Sequence, residues 1–284
     1  MTRALRENAE WVRAIANDGA DGEAARRDLR EVLAALMRVL IARGVDGDLC
    51  EDFAQEALLR VCERLGGFRG ESRFTTWALS IAIRIAFDDL RHKRWRDVPF
   101  DGMRQGARSP LVFEPRVEAT QERSAVRKRV LRALADVIEG KLTEKQRAVL
   151  VAELEGMPHA EIAERLGMKQ NALYKLSHDA RKSLKGTSRR WGSARPTYYW
   201  FSSEDMMRLR DEQVRSLLNA SRETRDVEID CDDFLSLMAE YAEVRAEGRA
   251  VPEGLEKACA HERLCPSCRE ELAALVEIVS GARR

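Results

Sequence analysis

Apolar residues recur three and four positions apart along almost the whole chain, and no run of strand alternation competes with them. Leu29, Val32, Leu33, Leu36, Val39 and Leu40 make one stripe; Phe53, Ala57, Leu58, Val61 and Leu65 make a second. Each predicts a helix with one buried face. Between Trp95 and about Thr120 the period vanishes and Pro99, Pro110 and Pro115 appear, so that stretch reads as a linker. Helical periodicity returns from about Gln121 to Leu184. A segment rich in Arg, Ser, Gly and Tyr follows from Lys185 to Phe201, and then one amphipathic helix with Met206, Leu209, Val214 and Leu217 on one side. The last block begins at Val227 and carries Phe234, Leu235, Leu237, Met238 and Tyr241 on another helix. The fold class is all-α, without internal repeat or low-complexity tract.

Composition adds a partition of charge. The 284 residues are 44% apolar and 34% charged, with a formal net charge of +1. That balance hides an asymmetry: Arg165 to Arg195 holds nine Lys and Arg against Asp179 alone, whereas Val227 to the end holds seven against thirteen acids. One part is suited to meet nucleic acid, and another avoids it or competes with it. No apolar run approaches a membrane span and the N-terminus has no signal-peptide pattern, so the chain reads as cytoplasmic, with no membrane partner. Six cysteines in that compartment point to metal or redox chemistry rather than a disulfide framework.

Two segments carry nucleic-acid chemistry. From Phe68 to Trp95 the sequence FRGESRFTTWALSIAIRIAFDDLRHKRW is a Gly-broken turn followed by a long helix. It opens with Phe68, Phe74 and Trp77 and closes with Arg91, His92, Lys93, Arg94 and Arg96. Aromatic faces that stack on bases beside a positive groove form a single-strand platform; a core helix with a solvated basic end fits the same residues. Trp77 falls in register with Ile81 and Ile85, a core position. In the second segment, Thr143 and Gln146 form a capping box, and the helix they open runs to about Leu154 and stops at Gly156. Glu161 to Leu166 is a short helix ended by Gly167, and a longer basic helix starts near Lys169: a helix-turn-helix. Leu173, Leu176, Ala180 and Leu184 form its buried stripe. Lys169, Gln170, Asn171, Tyr174, Lys175 and His178 face outward, and the first of them enter the major groove.

The acidic block carries a different chemistry. In His261-Glu262-Arg263-Leu264-Cys265-Pro266-Ser267-Cys268, His261 and Cys265 share a helix face, Pro266 ends the helix, and Cys268 turns back from the next turn. One imidazole and two thiolates make three corners of a tetrahedral zinc site. The fourth ligand is Cys231, with Cys259 as the alternative. The spacing lacks the second histidine of a metallohydrolase, so the site is structural and no catalytic residue is expected. Cys62 is read as a buried thiol on an apolar face, and Cys50, near a helix start where a lowered pKa can arise, is given no role. His159 and His178 are read as surface or DNA-adjacent side chains.

FRGESRFTTWALSIA resembles the promoter-melting segment of the extracytoplasmic-function sigma factors of the sigma-70 family. The stretch from Leu142 to Leu184 resembles their domain four, with Pro158 and Lys169 where Ser or Thr is usual. The resemblance implies domain two over 1–96, a linker over 97–120, domain four over 121–186, a linker with a helix over 187–226, and a zinc-binding anti-sigma-like domain over 227–284. It implies that Asp52, Gln55 and Glu56 meet core RNA polymerase. It also implies that Phe68, Arg69, Ser72 and Phe74 lie at the loop accepting a flipped base of promoter DNA, with Arg84, Arg91 and Lys93 along the strand. Arg84 stands where Asn is common. The C-terminal block resembles the zinc anti-sigma domain in its early Cys followed by His-x3-Cys-x2-Cys. It could fold over the polymerase-binding surfaces and restrain them in cis, with metal loss, excess metal or oxidation as release. A helix-turn-helix repressor with a zinc-dependent sensor or dimerisation domain is the rival reading.

Overall fold

In the computed structural model the described residues are 6–96, 111–113, 138, 140–188, 207–209 and 211–281. They fold into two compact units, residues 1–94 with 229–284 and residues 95–228. The expected helical turns over 121–137 and the linkers around 97–110, 114–120 and 189–206, with Met206, lie outside the described residues.

The first unit is helical throughout its described residues. Helices α1 (Asn8–Ile15), α2 (Ala20–Met37) and α3 (Cys50–Glu63) pack through Trp11, Leu29, Leu33, Phe53, Ala57 and Val61, all buried. The predicted stripe holds as far as Met37. There the chain tightens into a 3-10 turn, Arg38–Arg43, whose three-residue period rotates Val39 out to 40% exposure while Leu40 stays buried. The Gly-broken turn before α4 (Phe74–Trp95) needs Gly70, whose φ of 77° a side chain would strain. Helices α9, α10 and α11 of the C-terminal segment belong to this same unit; α9 spans Cys231–Ala246, α10 Glu256–Leu264 and α11 Pro266–Gly281.

The second unit is built around α5 (Glu144–Leu154), which buries Ala148, Val149, Leu150, Val151 and Ala152 in succession because it is covered on two sides. On one, Val149 and Ala152 meet Trp95, Met157, Ile162, Ala163 and Leu173. On the other, Leu150 meets Ile138, Leu142, Ala180, Leu184 and Leu217. Helix α6 (His159–Arg165), a turn at Gly167 (φ 61°) and α7 (Gln170–Ser188) form the helix-turn-helix. The amphipathic helix expected from Met206 starts only at Asp211, as α8 (Asp211–Glu223), and presents Leu217 to the core. Leu209 belongs instead to β2 (Met207–Leu209), which pairs in parallel with β1 (Leu111–Phe113); backbone pairing outweighs helical spacing there. Among the described residues no helix is long and apolar enough to cross a membrane.

The capping box is formed as the spacing requires: the Gln146 amide donates to Thr143 Oγ1 (3.3 Å) and the Thr143 amide to Gln146 Oε1 (2.9 Å). Thr143→Ala should cost about 0.5–2 kcal/mol and Thr143→Ser much less, read by denaturant titration of the whole chain followed by helical circular dichroism.

Candidate functional site: a charged helix, a thiol–imidazole cluster and a recognition helix

Four donors from three helices converge in the first unit. Cys231 is the first residue of α9, placed by the Asp230 carboxylate, which accepts from the Asp232 and Asp233 amides. His261 lies on α10. Cys265 sits at the break where α10 ends in extended backbone, and Pro266 opens α11 so that Cys268 falls in its first turn. Their ligand atoms lie within 4.8 Å of one another and all four residues are buried. His261 Nδ1 donates to the Ile229 carbonyl (2.9 Å), which turns Nε2 toward Cys268 Sγ (3.3 Å), while Phe234 stacks on the ring. Burial alone would lower the His261 pKa, but the Cys231 and Cys265 thiols outweigh it and push it up to about 9. Contacts with Cys231 and Cys265, together with burial, also push the Cys268 thiol up. One imidazole and three thiols, buried and this close together, form a donor set that can hold a metal ion. Cys259 lies outside the cluster, beside Tyr241.

The remaining cysteines depart from expectation. Cys62 is half-exposed rather than buried, since α3 turns it to the edge of its apolar face. Cys50 has a raised, not lowered, pKa: burial dominates, and its thiol points at the Asp46 carbonyl (3.7 Å).

Helix α4 carries the second constellation. Of the residues expected along the promoter strand, Arg69 and Lys93 are exposed and Phe68 is half-buried. Ser72 and Phe74 are corrected to core positions. Asn8 Nδ2 donates to the Ser72 carbonyl and Asn8 Oδ1 accepts from the Phe74 amide, each at 2.8 Å. The Phe74 ring is then wedged between Trp11 (5.7 Å) and Trp77 (5.5 Å), with Phe68 edge-on at 5.2 Å. Trp77, read as core, is half-buried in this aromatic group.

Arg84 and Arg91 face neither solvent nor a groove. Both reach Glu271 of α11, whose side chain has no exposed surface: Arg84 Nη1 donates to Oε2 at 3.2 Å, and Arg91 Nη2 to Oε1. Arg91 also donates to the Ser267 carbonyl (3.3 Å), and Arg84 Nη1 lies 4.0 Å from Cys268 Sγ. Asp88 bridges the two guanidiniums from within α4. Burial pushes the Glu271 carboxyl up and the two arginines only partly pull it back. At the other end of α4, Glu243 Oε1 accepts from the Arg73 amide (3.1 Å) and the Thr76 hydroxyl (2.7 Å). Glu271 and Glu243 carried no sequence signal as site residues; the one hint was an acid at 271 within the apolar stripe of Cys268, Leu272 and Leu275.

On α3, Asp52, Gln55 and Glu56 are all exposed, and Leu59, one turn on along the same face, is 60% exposed. An apolar side chain so open beside a polar trio was legible from its spacing but was not singled out.

In the second unit, Lys169, Asn171 and Lys175 are exposed on α7 and Gln170 is half-buried. Tyr174 packs edge-on against His159 at 4.8 Å. His178 hydrogen-bonds the Arg225 carbonyl (2.8 Å), so it faces its own unit. His159 is likewise internal: its Nε2 meets Glu153 Oε1 at 2.6 Å, where Ser177 Oγ also donates (2.5 Å). Arg181 Nη1 ties Ser177 into the same network and Nη2 reaches Glu228 (2.6 Å). This network fixes α7 against α5.

Residues 25–96 match sigma-70 region 2 and residues 140–184 match sigma-70 region 4. The chain thus carries two sigma-70 regions, region 2 followed by region 4. Relatives it is similar to are named RNA polymerase sigma factors, some of them of the extracytoplasmic-function group. It is 27% identical to the sigma factor BldN of Streptomyces coelicolor over 135 residues, 47% of this chain and 48% of that protein. It is 29% identical to the sigma-E factor of Haemophilus influenzae over 126 residues, 44% of this chain and 67% of that protein. With the sigma factor CarQ of Myxococcus xanthus it shares 28% over 140 residues, 49% and 75% of the two chains. The chain thus spans from about half to three quarters of these relatives. No solved structure matches it significantly. The two sigma-70 regions take in α3, α4 and the helix-turn-helix; the thiol–imidazole cluster lies beyond both.

Burial would raise the Glu153 pKa, but the His159, Arg181 and Ser177 partners hold it below the ordinary carboxylate value of 4.5. A depressed folded pKa contributes stability that is complete above about pH 4.5 and lost as pH falls through the lower folded value. Glu153→Gln should flatten the acid limb of a stability–pH profile, and Glu153→Ala should cost about 1–3 kcal/mol, measured by denaturant unfolding.

Proposed function

We propose that this chain is an alternative sigma factor: it binds core RNA polymerase, directs it to promoters and helps open them, without covalent chemistry of its own. The observation that carries the reading is the occurrence of regions 2 and 4 in one chain, in that order. The exposed Asp52–Gln55–Glu56–Leu59 face of α3 is assigned to core polymerase, with Leu59 as its apolar anchor. Arg69, Lys93 and the edges of Phe68 and Trp77 are assigned to the promoter strand. Lys169, Gln170, Asn171 and Lys175 are assigned to the upstream duplex, where Asn and Gln suit adenine edges and Lys suits guanine or phosphate.

Cys231, His261, Cys265 and Cys268 are proposed as the four ligands of a structural zinc ion. One imidazole and three thiols with a carbonyl behind the imidazole suit tetrahedral zinc and leave no open position. Zinc there would supply folding free energy to α9–α11, and the restraint of the sigma regions in cis would depend on it.

Core polymerase should bind the full chain tightly, and Leu59→Asp should weaken that binding at least tenfold, read by competition against a labelled sigma factor. Specific duplex binding with no affinity for polymerase would instead establish the repressor. Metal analysis of the purified chain should find about one zinc per molecule. Cys265→Ser and Cys268→Ser should lose it, and Cys259→Ser should keep it.

A further inference from the structure

Carboxylates of α9 and α11 take up polar groups at both ends of α4. Glu243 accepts from a backbone amide and a hydroxyl at the N-terminal end of α4, the kind of place where a phosphate oxygen is held, and its Oε1 lies 3.4 Å from Arg73 Nε. Glu240, one turn earlier on α9, faces Glu71, which is itself paired with Arg69 at 2.7 Å. Glu271 takes both Arg84 and Arg91 at the other end. Two acids from two helices thus engage Arg73, Thr76, Arg84 and Arg91. By contrast, the α3 face assigned to polymerase stays exposed.

We infer that the C-terminal helices act as a built-in mimic of the promoter strand, so that the restrained chain retains its polymerase face and is blocked at DNA engagement. This rests on the sigma reading and departs from the expectation that the polymerase-binding surface is what the domain covers. A buried carboxylate between two guanidiniums can be displaced by phosphates of like charge, so the contact is competitive with DNA. The turn that delivers Glu271 is also the one that holds the cluster. Arg91 grips the Ser267 carbonyl and Arg84 approaches Cys268 Sγ, so loss of a metal held by Cys265 and Cys268 would loosen the same turn that presents Glu271.

The test uses the full chain and core polymerase, with a fluorescent single-stranded oligonucleotide pool of mixed sequence as probe. Glu243→Gln with Glu271→Gln should leave polymerase affinity within about twofold, since neither residue lies on α3. Strand affinity of the resulting holoenzyme should rise tenfold or more, and the log–log salt dependence should steepen by about 1–2 units as phosphates replace the two acids. Glu240→Gln with Glu243→Gln leaves the buried Glu271 in place and should give a smaller gain, so misfolding of the first pair does not shelter the idea. Unchanged strand binding in both folded variants, with polymerase binding intact, overturns the mimic. So does a tenfold gain in polymerase affinity, which would place the restraint on the polymerase face. Absence of polymerase binding by every form would instead remove the sigma reading itself.

Discussion

A carboxylate with no exposed surface is tolerated only where cations replace the water it has lost, and Glu271 has two. That requirement organises much of the first unit. It fixes the rotation of α11 about its axis and holds α4 and α11 side by side over the span from Arg84 to Arg91. Cys268, one turn before Glu271, is thereby set where His261 and Cys265 can meet it. Taking away the acid would leave two half-buried guanidiniums with only Asp88 to neutralise them, whereas taking away the whole C-terminal segment would return them to water. The contact therefore behaves as a paired lock rather than as packing.

The thiol–imidazole cluster adjoins this contact. Three thiols and an imidazole are drawn together, and their mutual contacts make Cys268 and His261 hold protons more tightly. Arg84, 4.0 Å from Cys268 Sγ, links the cluster to the Glu271 pair. The arginine pair on Glu271 and the cluster flank a core in which α9 and α11 close around Phe234, Met238, Leu272 and Leu275.

The second unit solves a simpler problem. A recognition helix must be held firmly while its outer face stays polar. Packing supplies half of this, through Leu173, Ala180 and Leu184, and the Glu153 network supplies the rest. The network also explains why His159 and His178, which looked like surface or DNA-adjacent residues, are turned inward: each has a fixed internal acceptor that water or DNA would have to outbid.

Local chemistry by itself determined a good deal. The Thr143–Gln146 cap, the glycine turns at Gly70 and Gly167, the helix break at Pro266 and the spacing of His261, Cys265 and Cys268 each depend on neighbours within a few residues, so they could be read from the chain. Helical period also told which face of α2, α3 and α7 is apolar. What period does not report is what covers a face. The choice of Cys231 over Cys259, the burial of Ser72 and Phe74 under Asn8 and Trp11, and the pairing of Arg91 with a glutamate 180 residues away were decided by tertiary packing alone. Two departures were local in a different sense: the 3-10 turn that expelled Val39, and the strand pairing that captured Leu209. In both, backbone hydrogen bonding set the geometry and side-chain periodicity followed.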